Sequence, residues 1–261
     1  MERKDFLKRG FGSLLGIAAI VPAINACSKT EIDPVSSTAT TTGTSSTTTS
    51  TGSTTSTGST NGSSSSSCSV TPTETEGPFP TKSPANFVRS DIRDDRTGVA
   101  FTSNITIKNA NNSCAALAGA LVDIWHCDKD GYYSEYGGSG MQSVNYTSVN
   151  FLRGRQTTNS NGLVSFTSIF PGWYSGRAPH IHVHVYNSSG KSLLVTQIAF
   201  PYDISNTVYT TAQAYGYTKG SQDTKNESDN VFSDGFTTEL ATVSGSISGG
   251  YTLTHTIVVN G

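Results

Sequence analysis

Gly172-Trp173-Tyr174-Ser175-Gly176-Arg177-Ala178-Pro179-His180-Ile181-His182-Val183-His184-Val185 is the stretch on which the reading of this chain turns. From His180 onward, histidine alternates with isoleucine and valine, the period-two pattern of a β-strand that buries one face. His180 and His182 then project from the same face, roughly 6.5–7 Å apart along the backbone. Two imidazoles at that spacing can share one metal ion. Tyr174 and Arg177 stand just ahead of the strand, and Tyr133, in a Gly131-Tyr132-Tyr133 turn, lies a short way upstream.

Working outward, short β-rich runs recur at 104–108, 120–126, 163–169, 193–200 and 251–259, several of them alternating apolar with polar residues. Asp130-Gly131, Asn161-Gly162 and Ser189-Gly190 supply tight turns. Only one stretch, near 206–214, suggests helix. Many short strands with Gly-rich turns predict an all-β fold, a β-sandwich whose site is built from strands and loops at one end.

The N-terminal third has a different composition. Arg3, Lys4, Lys8 and Arg9 precede a short apolar run from Phe11 to Ile24, the pattern of an export signal over residues 1–26. The run is too short and too broken by Gly and Pro for a spanning helix. It ends in Ile24-Asn25-Ala26-Cys27, which resembles a bacterial lipobox with Cys27 as the lipidated N-terminus, although Asn25 is not the usual small residue. Arg3-Lys4-Asp5-Phe6-Leu7-Lys8 is similar to a twin-arginine export motif with one arginine replaced by lysine. Residues 27–67, almost only Ser, Thr and Gly from Ser36 to Ser67, read as a flexible tether with nothing to build a core. The expected product is therefore an extracytoplasmic lipoprotein held to a membrane through Cys27. The alternative is cleavage near Ala26 and a soluble secreted protein.

Residues 68–261 are enough for one folded domain. Removing the leader's four bases (Arg3, Lys4, Lys8, Arg9) and two acids (Glu2, Asp5) from 17 and 19 leaves 13 against 17, a formal charge of −4. No basic cluster survives, which argues against a nucleic-acid partner. Cys68, Cys114 and Cys127 allow one disulfide and one free thiol outside the cytoplasm, with pairing unreadable from sequence. Their scattered spacing disfavours a cysteine-based zinc site.

A specific resemblance runs in order along this region. Thr75-Glu76-Gly77-Pro78-Phe79, Val122-Asp123-Ile124-Trp125-His126, Gly131-Tyr132-Tyr133-Ser134 and Arg153-Gly154-Arg155-Gln156-Thr157-Thr158 resemble segments of the intradiol ring-cleavage dioxygenases. Pro171-Gly172-Trp173-Tyr174, Arg177-Ala178-Pro179-His180-Ile181-His182, Thr196-Gln197-Ile198 and Asp229-Asn230-Val231-Phe232 continue it. The helical dimerisation domain of the catechol 1,2-dioxygenases has no counterpart, because the tether occupies its place. The resemblance implies a mononuclear non-haem Fe(III) held by Tyr133, Tyr174, His180 and His182. It also implies O2-dependent cleavage of a catechol-type ring to a cis,cis-muconate-type diacid. By the same resemblance Tyr174 is the ligand that leaves and Tyr133 the one that stays. Arg177 is expected to stabilise charge building on the ring carbon, with Gln197 beside it. Tyr132 should face away from Tyr133.

Charge fits this set independently. A trivalent iron with two phenolates and one hydroxide is neutral, as a partly buried site requires. It stays neutral when a catechol dianion replaces one phenolate and the hydroxide. Hard, anionic phenolates favour Fe(III) over softer divalent metals. Other readings remain open: a non-catalytic β-sandwich binding module tethered at the cell surface, or a zinc hydrolase using His180, His182 and His184. His126 and His255 read as structural, and Tyr136, Tyr146 and Trp173 could line a pocket or pack elsewhere. Asn159 stands where many members have Asp, a change expected to affect only its turn.

Overall fold

The computed structural model describes residues 68–261. The leader, the lipobox-like segment ending at Cys27 and the tether lie outside the described residues. In chain order the strands are β1 (Ala100–Asn109), β2 (Ala115–Ala116), β3 (Leu121–Trp125), β4 (Arg153–Thr157), β5 (Leu163–Ile169), β6 (His180–Tyr186), β7 (Ser192–Ala199), β8 (Thr242–Ser246) and β9 (Gly250–Val259), with the helix α1 (Tyr202–Thr211) after β7. They form two sheets. In one, β1 lies between β9 on one side and β5 and β2 on the other, with β8 at the edge; the second runs β4-β3-β6-β7. All pairings are antiparallel except β1 with β9.

The sandwich follows from side-chain alternation. Val122 and Ile124 of β3, Ile181, Val183 and Val185 of β6, and Ile198 of β7 meet Phe101, Ile105, Ile107, Phe166, Leu253 and Ile257 of the other sheet in one buried core. Each such side chain stabilises the fold by about 1.5–3 kcal/mol when fully buried. The residues between them therefore face outward. Register then sets Arg153, Trp125, His182 and Gln197 in one row across β4, β3, β6 and β7. The site consequently sits on the outer face of the four-stranded sheet, at one end, beneath covering loops.

Two expectations need adjustment. The helix begins four residues before the expected 206–214 and ends at Thr211; its threonines bond back to the chain, Thr207 to the Asp203 carbonyl and Thr211 to that of Thr207. Strands β2, β4 and β8 were not expected. Asn159, by contrast, acts as the turn residue anticipated, its Oδ1 accepting from the amides of Asn161 and Leu163. Cys68 pairs with Cys114, and Cys127 is a buried free thiol.

Candidate metal centre

Two backbone contacts bring the tyrosine turns together. A Cβ at Gly172 would collide with the carbonyl oxygen of Asp128, and one at Gly131, where φ is +93°, with that of Trp173. Only glycine lets these loops touch. Tyr133 and Tyr174 thereby come to 5.9 Å between ring centroids, edge to face. Tyr133 is fully buried and stacked on Phe79 at 4.8 Å, while Tyr174 is partly exposed. Tyr132 turns the other way, toward Tyr146.

The histidines of β6 meet the tyrosines. His180 Nδ1 lies 2.6 Å from the Ala178 carbonyl, which can only accept, so that nitrogen carries the proton and Nε2 presents its lone pair. Facing that lone pair are His182 Nε2 at 3.1 Å, Tyr133 Oη at 3.4 Å and Arg177 Nη1 at 3.5 Å. One lone pair cannot satisfy three partners. A cation would engage the His180, His182 and Tyr133 lone pairs together, leaving Arg177 Nη1, a donor, its contact at Tyr174 Oη. The residues present fit a metal. His182 is further fixed by Trp125, whose ring lies parallel to it at 4.8 Å. Burial, with the nearby Arg177 charge, holds both imidazoles neutral, well below their ordinary range. Burial likewise pushes the Tyr133 and Tyr174 phenols up. Ionising such phenols near neutral pH requires a cation beside them.

Arg177 is held in a relay. Its Nε lies 2.8 and 2.9 Å from the two oxygens of buried Asp229, and Nη2 donates to Gln197 Oε1 at 2.5 Å. Gln197 Nε2 in turn donates to the Thr75 carbonyl at 2.8 Å. The remaining nitrogen, Nη1, points at Tyr174 Oη and His180 Nε2, 3.5 Å from each. The structure thus brings together Tyr133, Tyr174, Arg177, His180, His182 and Gln197.

Other sequence candidates fall elsewhere. His184 stacks on Tyr186 at 4.0 Å and bonds to Ser192 and Tyr186. Among the described residues no group of three or more His, Cys, Asp or Glu could hold a metal ion. His126, bonded to the Cys127 carbonyl and Ser168, and His255 in β9 are buried and pushed down to about 4 by burial. Tyr136 packs its edge on Phe79 beside Tyr133, whereas Tyr146 packs on Phe151, and Trp173 is buried with its Nε1 on the Gly220 carbonyl. Sequence reasoning gave no role to three residues. Asp229 anchors Arg177. Buried Arg153 bonds Ser134, beside Tyr133, and the Phe79 carbonyl. Gln142 grips the Tyr133 backbone. Asp229 and Arg153 lie in family-like segments, which was their signal; Gln142 had none.

Known proteins are similar to this chain in sequence and fold. A family model described as "Dioxygenase" matches residues 77–214, just over half of the chain. The structure of an intradiol ring-cleavage dioxygenase from Tetranychus urticae is 30% identical, covering 74% of this chain and 95% of that one, with a TM-score of 0.65. The chain belongs to the intradiol ring-cleavage dioxygenase family. A second similar structure is the dioxygenase domain of a dioxygenase–carbohydrate-binding protein fusion from the cellulolytic bacterium Streptomyces sp. SirexAA-E. It is 25% identical over 73% of this chain and 97% of that one, with a TM-score of 0.51. Chlorocatechol 1,2-dioxygenase from Rhodococcus opacus is 29% identical over 146 residues, 48% of this chain and 52% of that protein. The chain thus spans about half the length of this curated relative.

Proposed function

We propose that this chain uses dioxygen to cleave a catechol-type ring between its two hydroxyl-bearing carbons, giving a cis,cis-muconate-type dicarboxylate, at an Fe(III) held by Tyr133, Tyr174, His180 and His182. The observation that carries this reading is the convergence of His182 Nε2 and Tyr133 Oη on the lone pair of His180, with Tyr174 Oη and the Arg177 guanidinium alongside. Bound there, Fe(III) supplies a Lewis-acidic centre that a catecholate can chelate and that opens the ring to attack by dioxygen. The remaining work falls to side chains. Tyr174 Oη, the more accessible phenol, takes up a catechol hydroxyl proton, while buried Tyr133 stays in place. Arg177, oriented by Asp229 and Gln197, keeps a permanent positive charge beside the carbon on which negative charge builds. Phe79, stacked on Tyr133, and Tyr136, packed on Phe79, form an apolar cluster around that phenol.

The same proposal places the enzyme outside the cytoplasm, anchored through a lipid on Cys27 and spaced from the membrane by residues 27–67. The Cys68–Cys114 pairing supports that address, because disulfides persist in oxidising compartments. The test is metal analysis with visible spectroscopy. The purified protein is expected to hold one iron per chain and to absorb broadly through iron–phenolate charge transfer. His180→Ala should lose both. Stoichiometric zinc in a colourless protein contradicts the reading.

A further inference from the structure

Between the Tyr133 turn and β4 runs the segment 137–150, which contains none of the family-like segments. One side chain from it, Gln142, is buried. Gln142 is 3% exposed, and its whole amide is engaged. Oε1 accepts the Tyr133 amide at 2.7 Å, and Nε2 donates to the Tyr133 carbonyl at 2.8 Å. Nε2 also reaches the carbonyls of Tyr136 at 3.0 Å and Val144 at 3.3 Å. A single side chain thus brackets both backbone polar groups of Tyr133, as a neighbouring strand would, while the next residue, Ser134, is held by Arg153.

We propose that Gln142 is the positioning residue for Tyr133, setting where its phenol oxygen meets the metal. The inference rests on the reading of Tyr133 as an iron ligand. Geometry gives the bracket its leverage. The phenol oxygen lies at the far end of a long rigid side chain, so a backbone rotation of about 10° displaces it by about 1 Å, beyond the tolerance of a preorganised site. Phe79, stacked on the ring, restrains its tilt but not its reach along the chain axis. The bracket supplies that restraint, and it ties the turn to the 137–150 loop.

The test has two arms on the same protein. In the metal-free protein, hydrogen exchange at the Tyr133 amide should be slow in wild type and at least about tenfold faster in Gln142→Leu, with amides of β3 and β6 unchanged. Titration with Fe(III) against a competing chelator should then show about 10–100-fold weaker binding and a weakened visible band, the usual loss when a group supporting a metal ligand is removed. Gln142→Glu keeps the acceptor for the Tyr133 amide and loses the donors, so it should fall between the two; it also carries the test if Gln142→Leu fails to fold. Met141→Ala, altering an exposed neighbour in the same loop, should bind iron as wild type does. Unchanged exchange at Tyr133, or Fe(III) affinity within about twofold of wild type in both Gln142 variants, overturns the positioning role. A wild-type protein that takes up no iron overturns the ligand reading first, before any variant is compared.

Discussion

Arg177 separates binding from chemistry. Two of its guanidinium nitrogens are committed to Asp229 and Gln197, leaving Nη1 directed at Tyr174 and His180. Arg177→Gln removes the charge and none of the four proposed ligands. That protein should hold iron and change colour on adding catechol, yet turn over roughly a hundredfold or more slower, the usual effect of losing one preorganised electrostatic partner. Near-normal turnover in the iron-replete variant removes Arg177 from the mechanism. At this scale strand alternation and family-like segments made the convergence of His180, His182, Tyr174 and Arg177 legible in the sequence. Gln142 was not. It acts on Tyr133 through the backbone, nine residues away in an irregular loop, and no periodicity marks such a contact.

Two contacts between elements lend themselves to measurement. The first lies on the edge of β7, where the segment near Glu239 pairs with Ala199 and the Glu239 side chain is fully buried. Its Oε1 accepts from Thr196, its Oε2 has no hydrogen-bond partner, and the carboxylates of Glu74 and Asp234 are its charged neighbours. Burial above all, then the Glu74 charge, pushes the Glu239 carboxyl up to about 8. The folded state therefore retains a proton that the unfolded chain releases near 4.5. Stability should decline as pH rises from there through about 8. Glu239→Gln should abolish this decline, matching wild type near pH 5 and exceeding it by about 1–3 kcal/mol above pH 8. Thermal melts across that range check it, and parallel pH profiles for the two proteins count against it. The second contact is Cys68–Cys114, which closes a loop 46 residues apart in sequence. Cys114→Ser should lower unfolding stability by about 2–4 kcal/mol in denaturant titrations, and an equally stable variant argues against the pairing. Strands β5 and β6 were readable to the residue, β6 because histidine alternates with isoleucine and valine along His180–Val185. Strand β4 was hidden by its polar Arg-Gly-Arg-Gln-Thr sequence, which serves an outer face carrying Arg153 and a tight approach of Gly154 to Ile92 and Phe166. Strand β8, rich in Ser and Gly at the sheet edge, offers no apolar period to detect.

For the whole molecule, the sandwich was foreseeable because two sheets each bury one alternating face. The position of the site on the outer face of the β4-β3-β6-β7 sheet follows from the same alternation, since Ile181 and Val183 claim the core and leave His180 and His182 outside it. What alternation could not reveal is the covering: loops from distant parts of the chain, around Phe79, Tyr133, Tyr174 and Asp229, close over that face through contacts with no sequence period. The central claim is that this assembly splits a catechol between its hydroxyl-bearing carbons and places dioxygen in the product. The most direct test is to supply the purified, iron-loaded protein with catechol under isotopically labelled dioxygen and to determine the product by mass spectrometry and NMR. The account predicts oxygen uptake matched by a cis,cis-dicarboxylate bearing label from both atoms of dioxygen, one in each new carboxylate. Absence of uptake across a panel of catechols, or an aldehyde-bearing product cleaved outside the two hydroxyls, contradicts it.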